Sequence, residues 1–366
     1  MSMHRLPSLL LFALCLHAAS PVETDVFRAG EGAYRSYRIP ALVRSNKGTL
    51  LAFCEGRKNS AADSGNIDVI LRRSFDAGKT WSPVQIVADM GTDTVGNPAP
   101  VVDRRTGAIL LLLTSNPGTV TERQITEASV PSGRSIWIVR SQDDGVTWSA
   151  PVDITAQVKR TDWTWYATGP GNGIQLRSGR LVIACDHNRK DDNSRHSHLI
   201  YSDDGGAAWK IGAVAEDNTN ESAVAELKDG SLLLDMRSYH GKNRRAEQIS
   251  RDAGLTLGPL KLVDALIEPV CQASLISAAP PGRGPNGRLL FSNPASTRRA
   301  NLTVRWSQDD GRTWTASRAI YEGPSAYSSL AMLDGRTAGL LYERGKEGPY
   351  EKIVFARIGL NWIRGR

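Results

Sequence analysis

Cysteine is scarce in this sequence. Four occur in 366 residues, Cys15, Cys54, Cys185 and Cys271, far apart and in no paired spacing. This excludes a disulfide frame or a cysteine metal knot, and it predicts buried free thiols at Cys54, Cys185 and Cys271. Long apolar runs are also missing. The one candidate, residues 6–19, falls short of the ~20 residues that cross a bilayer. Preceded by Arg5 and followed by small residues, it reads as a secretory signal peptide over residues 1–20, removed on export to the periplasm, cell surface or medium. The net charge of +7 comes with no lysine-rich run and no nucleic-acid motif. Scattered basic residues predict a solvated surface plus an arginine-rich site, not a nucleic-acid partner. The "HSH" at residues 196–198 alternates like a strand and has no further partners at ligand spacing, so no metal is expected there.

With 40% hydrophobic and 23% charged residues, the chain can bury a sizeable core and shows no bias to disorder. Its organisation lies in repeats. An octet recurs five times: SFDAGKTW from Ser74, SQDDGVTW from Ser141, SDDGGAAW from Ser202, a worn SRDAGLTL from Ser250, and SQDDGRTW from Ser307. In each, an Asp two residues before Gly can accept backbone N–H bonds across its own turn, and in four of the five a Trp three residues after Gly can pack beneath it. A calcium loop would need about six or more oxygen ligands, and the octet offers about two acids, so Asp143 and Asp309 are expected to be structural.

A second repeat interleaves with the first: a polar residue and Gly, then a strand-like apolar run, at Gly48, Gly107, Gly179, Gly230, Gly287 and Gly335. Each reads as a hairpin turn. Five of the six are followed by an octet, so each unit holds two hairpins and four strands. The expected fold is all-β: a six-bladed β-propeller of four-stranded antiparallel blades, one domain over residues 21–366. The sixth unit ends without an octet, and the segment near residues 25–28 is expected to supply its fourth strand, hiding open edges.

Equivalent positions in such repeats should share one face. Counting back eight to ten residues from the glycines reaches Arg38, Asn97, Gly169, Glu221 and Tyr327, and counting forward seven to twelve reaches Arg57, Arg237, Arg299 and Glu343. Arginines, glutamates and a tyrosine from distant units therefore gather on the face opposite the turns.

YRIPAL (residues 37–42), EGR (residues 55–57), Asp63 shortly before IDVILRRS, and the octet together resemble an exo-alpha-sialidase of the kind that carries Asp-box, or BNR, repeats, over nearly the whole chain beyond the signal segment. The octet alone is unspecific, whereas YRIP with the later acids and arginines is specific. The resemblance implies that Arg38, Arg237 (in DMRS) and Arg299 (in RANL) grip the substrate carboxylate and that Glu343 (in LLYE) buttresses the first of them. It likewise implies Tyr327 as nucleophile, Glu221 as its base and Asp63 as acid/base. Arg57 and Asn97 match positions on the sugar's amide and 4-hydroxyl side. Arg298 competes with Arg299 and Glu226 with Glu221; the step to Asn301 and the spacing to Arg237 favour Arg299 and Glu221.

The implied enzyme is a monomer that needs no cofactor or metal and acts on sialylated glycans. A non-catalytic sialoglycan-binding propeller, a trans-sialidase and an intramolecular trans-sialidase stay open alternatives. Trp163, Trp165 and Tyr166 either wall the pocket or pack in the core. Two glycosylation sequons, at Asn220 and Asn301, flank Glu221 and Arg299, where glycans would obstruct the site.

Overall fold

The computed structural model describes residues 20–131 and 133–365, so the expected signal segment, apart from Ser20, lies outside the described residues. Among the described residues antiparallel strands dominate, with three short helices, Glu122–Thr126, Thr155–Val158 and Leu360–Ile363. Each repeated glycine joins two paired strands: Ser36–Arg44 to Leu50–Arg57, Thr94–Val102 to Ile109–Asn116, Ile174–Gln175 to Leu181–Arg189, Thr219–Glu226 to Leu232–Ser238, Ser274–Ser277 to Leu289–Pro294, and the second half of Ala316–Met332 to Thr337–Arg344. Five of these glycines hold positive φ; Gly335 does not, so its turn needs no left-handed residue. A third strand returns antiparallel in each unit, and in the first five the octet then turns the chain into a fourth. Hydrogen bonding links the units into sheets of eight, seven, five and four strands.

The sixth unit takes its last strand from the start of the described chain. Val22–Arg28 pairs antiparallel with Lys352–Gly359, Asp25 opposite Val354 and Arg28 opposite Lys352, where the sequence placed it.

Second strands such as LLAFC and ILLLL read as continuous apolar runs because both of their faces are buried. Leu50, Ala52 and Cys54 face a cluster shared with Phe355 and Ile353, while Leu51 and Phe53 face one shared with Leu111 and Leu113. Six such clusters form, each between two consecutive units, and the last unit packs against the first. The core is thus divided into layers, to which each fully buried Leu or Phe contributes about 1.5–3 kcal/mol. Cys54, Cys185 and Cys271 are free and buried.

The octets fasten this arrangement. Asp143 Oδ1 accepts from Ser141 Oγ and the Thr147 N–H, and Asp143 Oδ2 accepts from Thr147 Oγ1. Asp76, Asp252 and Asp309 repeat the pattern. These bonds, led by the threonine hydroxyl, hold the Asp76, Asp143 and Asp252 carboxyls down at about 2. The octets are turn-builders and stand apart from the site below.

Candidate active site

The first strand of a unit breaks its ladder where it reaches the site. Register shifts fall between Arg38 and Ala41, Gly96 and Ala99, Trp163 and Tyr166, Thr219 and Ser222, and Ser325 and Ser328. A bulge frees a side chain from the sheet's alternation and re-aims it. Arg38, Asn97, Trp165, Glu221 and Tyr327 all lie at or within these five bulges. Ile39 and Asn97 adopt φ of 60° and 53°, a costly conformation for L residues, and both are fixed by carboxylates: Glu343 Oε1 accepts from the Ile39 N–H at 2.9 Å and Glu55 Oε1 from the Asn97 N–H at 2.9 Å.

Tyr327 is the centre. Its hydroxyl donates to Glu221 Oε1 at 2.5 Å, and Arg237 Nη1 lies 2.8 Å from Glu221 Oε2 and 3.4 Å from the Tyr327 oxygen. The guanidiniums of Arg38 and Arg299 each stand 5.5 Å from the Tyr327 ring centre. Three arginines therefore surround one phenol. Burial raises the Tyr327 pKa well above the usual phenol range, and the Glu221 carboxylate adds to this against the pull of Arg237, so the group rests as a neutral phenol.

Glu343, fully buried, joins Arg38 to Tyr327. It accepts from Arg38 Nε at 2.8 Å and from the Tyr327 N–H at 3.0 Å. Burial, the largest single influence, would lower the Arg38 pKa, but Glu343, Tyr350, Tyr327 and Asp63 together outweigh it, and the net shift is upward.

Asp63 sits at the rim, its side chain 64% exposed, 2.7 Å from Arg57 Nη2 and 3.8 Å from Arg38 Nη1. What desolvation it has raises its pKa; the guanidiniums of Arg57 and Arg38 outweigh this and the net shift is downward. Arg57 is shared, since Glu55 Oε2 takes its Nε at 3.0 Å and its Nη2 at 2.6 Å. Asn97 Oδ1 accepts from Arg134 Nη1 at 2.6 Å and from Thr114 Oγ1 at 3.2 Å.

The competing candidates lie elsewhere. Arg298 points to solvent, and Glu226 pairs with Arg177 at 3.1 Å. Trp165 stacks on Arg134 with 4.2 Å from guanidinium carbon to ring, whereas Trp163 and Tyr166 pack in the core beside His187 and His198. The His196–His198 region contributes a strand, Arg195–Ser202, and among the described residues no group of three or more His, Cys, Asp or Glu is arranged to hold a metal.

Sequence reasoning missed Tyr350, Arg134 and Glu122. Tyr350 accepts from Arg299 Nη1 and carries the Arg38 guanidinium on its face. Arg134 is buried without a carboxylate in hydrogen-bond contact, its pKa lowered chiefly by that burial. Glu122, on the helix Glu122–Thr126, is raised by desolvation, with Arg134, Asp63, Glu221 and Arg237 all within electrostatic reach. Tyr350 and Arg134 stand just before a third strand, as Asp63 and Arg299 do. Scanning the segments between second and third strands, in addition to offsets from the glycines, finds them.

These features define an all-β repeat protein with a tyrosine–carboxylate pair ringed by arginines. Residues 48–341 match a family model described as a BNR repeat-like domain. The chain is 37% identical over 339 residues to a sialidase of Bacteroides fragilis, covering 87% of this chain and 62% of that protein. It is 34% identical over 358 residues to a sialidase of Micromonospora viridifaciens, covering 94% and 54%. The chain thus spans less than two thirds of these two bacterial relatives. An exo-alpha-sialidase of Arthroderma benhamiae is 30% identical over 384 residues, with 96% and 90% covered. The solved structure of Hadza microbial sialidase Hz136 superposes with a TM-score of 0.83 at 37% identity, over 93% of this chain and 69% of that one. The intramolecular trans-sialidase of Ruminococcus gnavus, at TM-score 0.80 but 17% identity, shares the fold. The chain belongs to the sialidase family built on BNR repeats.

Proposed function

We propose that the chain is a retaining exo-alpha-sialidase that releases terminal sialic acids from glycoproteins, glycolipids or oligosaccharides. The observation that carries this reading is the Tyr327 hydroxyl donating to Glu221 at 2.5 Å within a ring of three guanidiniums. Sialic acid bears a carboxylate on its anomeric carbon. Planar guanidiniums bind such a group by paired, charge-assisted bonds, and a carboxylate nucleophile beside it would be repelled. A phenol avoids that repulsion; sialidases with a tyrosine nucleophile are an exception to the two-carboxylate scheme.

In the first displacement, Tyr327 oxygen bonds to the anomeric carbon as its proton moves to Glu221, and Asp63 protonates the departing glycosidic oxygen. In the second, Asp63 takes a proton from water, the water oxygen bonds to the anomeric carbon, and Tyr327 leaves and recovers its proton from Glu221. Two inversions retain configuration. Asp63 is held ionised by Arg57 and Arg38 in the free protein. A substrate carboxylate beside Arg38 offsets that pull, so binding itself favours the protonated acid that the first step needs.

The fold reading is one six-bladed propeller over residues 21–366, exported through residues 1–20. It is supported by four-strand units, by six inter-unit core layers and by the pairing of Val22–Arg28 with Lys352–Gly359. The test is turnover of a fluorogenic α-sialoside with the first-formed product followed by NMR, for wild type and Tyr327→Phe. Release of α-configured sialic acid by wild type, and its loss in the variant with sialic acid still bound, is expected. Binding without turnover in wild type, or β-configured or anhydro product, overturns the reading.

A further inference from the structure

Asn220 precedes Glu221, and both lie where the ladder of Thr219–Glu226 is interrupted: Thr219 pairs with Ser238, and the register resumes only at Ser222 opposite Met236. The base is therefore carried on a segment that its own sheet does not hold. The neighbouring sheet supplies the hold. Asp186 and Ser197 are directly opposite each other on Leu181–Arg189 and Arg195–Ser202, and alternation turns them away from the face that His187, His196 and His198 occupy. Asp186 Oδ1 accepts from Asn220 Nδ2 at 2.7 Å, Ser197 Oγ donates to the Asn220 carbonyl, and the Ser197 N–H donates to Thr219 Oγ1 at 2.9 Å. Asp186 and Ser197 are fully buried and Asn220 is 9% exposed.

We propose that Asp186 and Ser197 are positioning residues that clamp Asn220 from the adjacent sheet and thereby fix Glu221 against the Tyr327 hydroxyl. Three hydrogen bonds from one pair of cross-strand neighbours converge on the two residues before the base. No other function of the site uses them.

The chemistry of Asp186 fits this role. Its second oxygen, Oδ2, is buried without a partner. The charged groups facing it are Glu221, Glu122, Arg237 and Arg134. Burial is the largest influence on its carboxyl and drives it well above the usual range, with Glu221 and Glu122 adding and the two arginines opposing. As a neutral acid, Asp186 takes the Asn220 hydrogen without placing a second negative charge next to the Glu221–Tyr327 pair, where it would oppose the phenolate forming in the transition state. The clamp also settles the sequon at residues 220–222. Asn220 Nδ2, the atom that would carry a glycan, is the donor to Asp186 inside the protein, so in the folded chain the clamp and glycosylation exclude each other.

The inference rests on Glu221 being the base, so the experiment is a double-mutant cycle built on Glu221→Gln. Aryl sialoside turnover is measured for Asp186→Ala, Asp186→Asn, Ser197→Ala, Glu221→Gln and the Asp186→Ala/Glu221→Gln double variant, each normalised to folded protein. Loosening the base is expected to lower kcat at least about tenfold in Asp186→Ala, with KM little changed. Asp186→Asn, which keeps a neutral acceptor, is expected to recover most of that loss. In the double variant the Asp186 change is expected to add almost nothing, since a residue acting through Glu221 has nothing left to position. If Glu221→Gln keeps full turnover, the function proposed above falls. If Glu221→Gln is impaired but Asp186→Ala is not, or its loss persists undiminished in the double variant, the clamp falls. Should Asp186→Ala fail to fold, Ser197→Ala takes its place in the same cycle with the same two outcomes.

Discussion

The guanidinium carbon of Arg38 lies 3.8 Å from the ring centre of Tyr350, and the Tyr350 hydroxyl accepts from Arg299 Nη1 at 2.5 Å. One side chain thus orders two of the three arginines around Tyr327, by its face and by its edge. Without it, Arg299 would lose a hydrogen-bond partner and Arg38 one wall of its slot. The two arginines arrive from opposite ends of the sequence, and Tyr350 sits on the short segment that precedes Lys352–Gly359.

Replacing Tyr350 separates these two contacts. Tyr350→Phe removes the hydrogen bond to a charged donor, of the kind that contributes about 1.5–3 kcal/mol, and keeps the ring under Arg38. Tyr350→Ala removes both. The expected result is a KM for an aryl sialoside raised about threefold to tenfold in the phenylalanine variant and more in the alanine one, with kcat affected less than KM. Steady-state kinetics check it; an unchanged KM in both variants removes Tyr350 from substrate binding.

Asp63 is predicted to matter in proportion to the leaving group. An aryl sialoside with an acidic phenol departs without much protonation, whereas a sugar alkoxide does not. Asp63→Asn should lower kcat/KM for a sialyl-lactose type substrate by about 10²–10⁴-fold and for an activated aryl sialoside by much less in the first step. Comparing the two substrates in one variant makes the measurement independent of folding yield. Equal losses on both would mean that Asp63 acts in binding instead, through its ion pair with Arg57.

How far the sequence spoke for itself can be seen in particular residues. Arg38, Asn97, Glu221 and Tyr327 were legible because each lies eight to ten residues before a glycine turn, and the first strand of each unit carries that distance to the site. Their aim was not legible, since it depends on bulges and on φ near 60° at Ile39 and Asn97, which no spacing encodes. Tyr350 and Arg134 lie in segments of variable length, where an offset from the turns has no fixed meaning. Asp186 was hidden for another reason: its partner Asn220 belongs to a different sheet, and the NES triplet suggested a glycan where the fold makes an internal contact. The octet pattern, by contrast, is entirely local, and its bonds follow directly from the spacing of Ser, Asp, Gly and Thr.

Acid should weaken the fold before it reaches the carboxylates. His187 and His198 are buried, with their Nδ1 atoms 3.0 Å apart, so both are neutral there and one donates to the other. Burial lowers both pKa values, that of His198 to about 3 and that of His187 further. Their unfolded value is near 6.5. The unfolded chain therefore binds protons that the folded one refuses: the stability tied to each histidine is fully present above pH ~6.5 and is lost as pH falls toward the folded value, by about 1.4 kcal/mol per unit for each. Urea midpoints measured from pH 7 to 5 should fall with this slope, and a His187→Gln/His198→Gln pair should flatten it. A wild-type midpoint constant over that range contradicts the assignment.

The octets make the complementary prediction, of stability without catalysis. Gly145 of SQDDGVTW holds φ at 79°, and a Cβ there would come within 2.6 Å of Leu51 Cδ2 in the neighbouring unit. Gly206 and Gly78 meet Leu110 and Phe355 in the same way, so each of these turns docks on the unit before it, and Trp148 seals the contact edge-on to Phe53 at 5.7 Å. Gly145→Ala therefore combines a strained backbone with a clash, and Asp143→Ala strips the turn of the bonds from Ser141 and Thr147. Both should lower the melting temperature, while kcat and KM per folded molecule stay at wild-type values, because neither residue touches the arginine-ringed tyrosine. The Asp143 carboxyl, held at about 2, contributes stability that is present above its usual value near 3.9 and is lost as pH falls through 2. The melting-temperature difference between wild type and Asp143→Ala should therefore shrink as pH is taken from 5 toward 2. A variant of either residue that melts normally but turns over slowly would move the octet from scaffold to site.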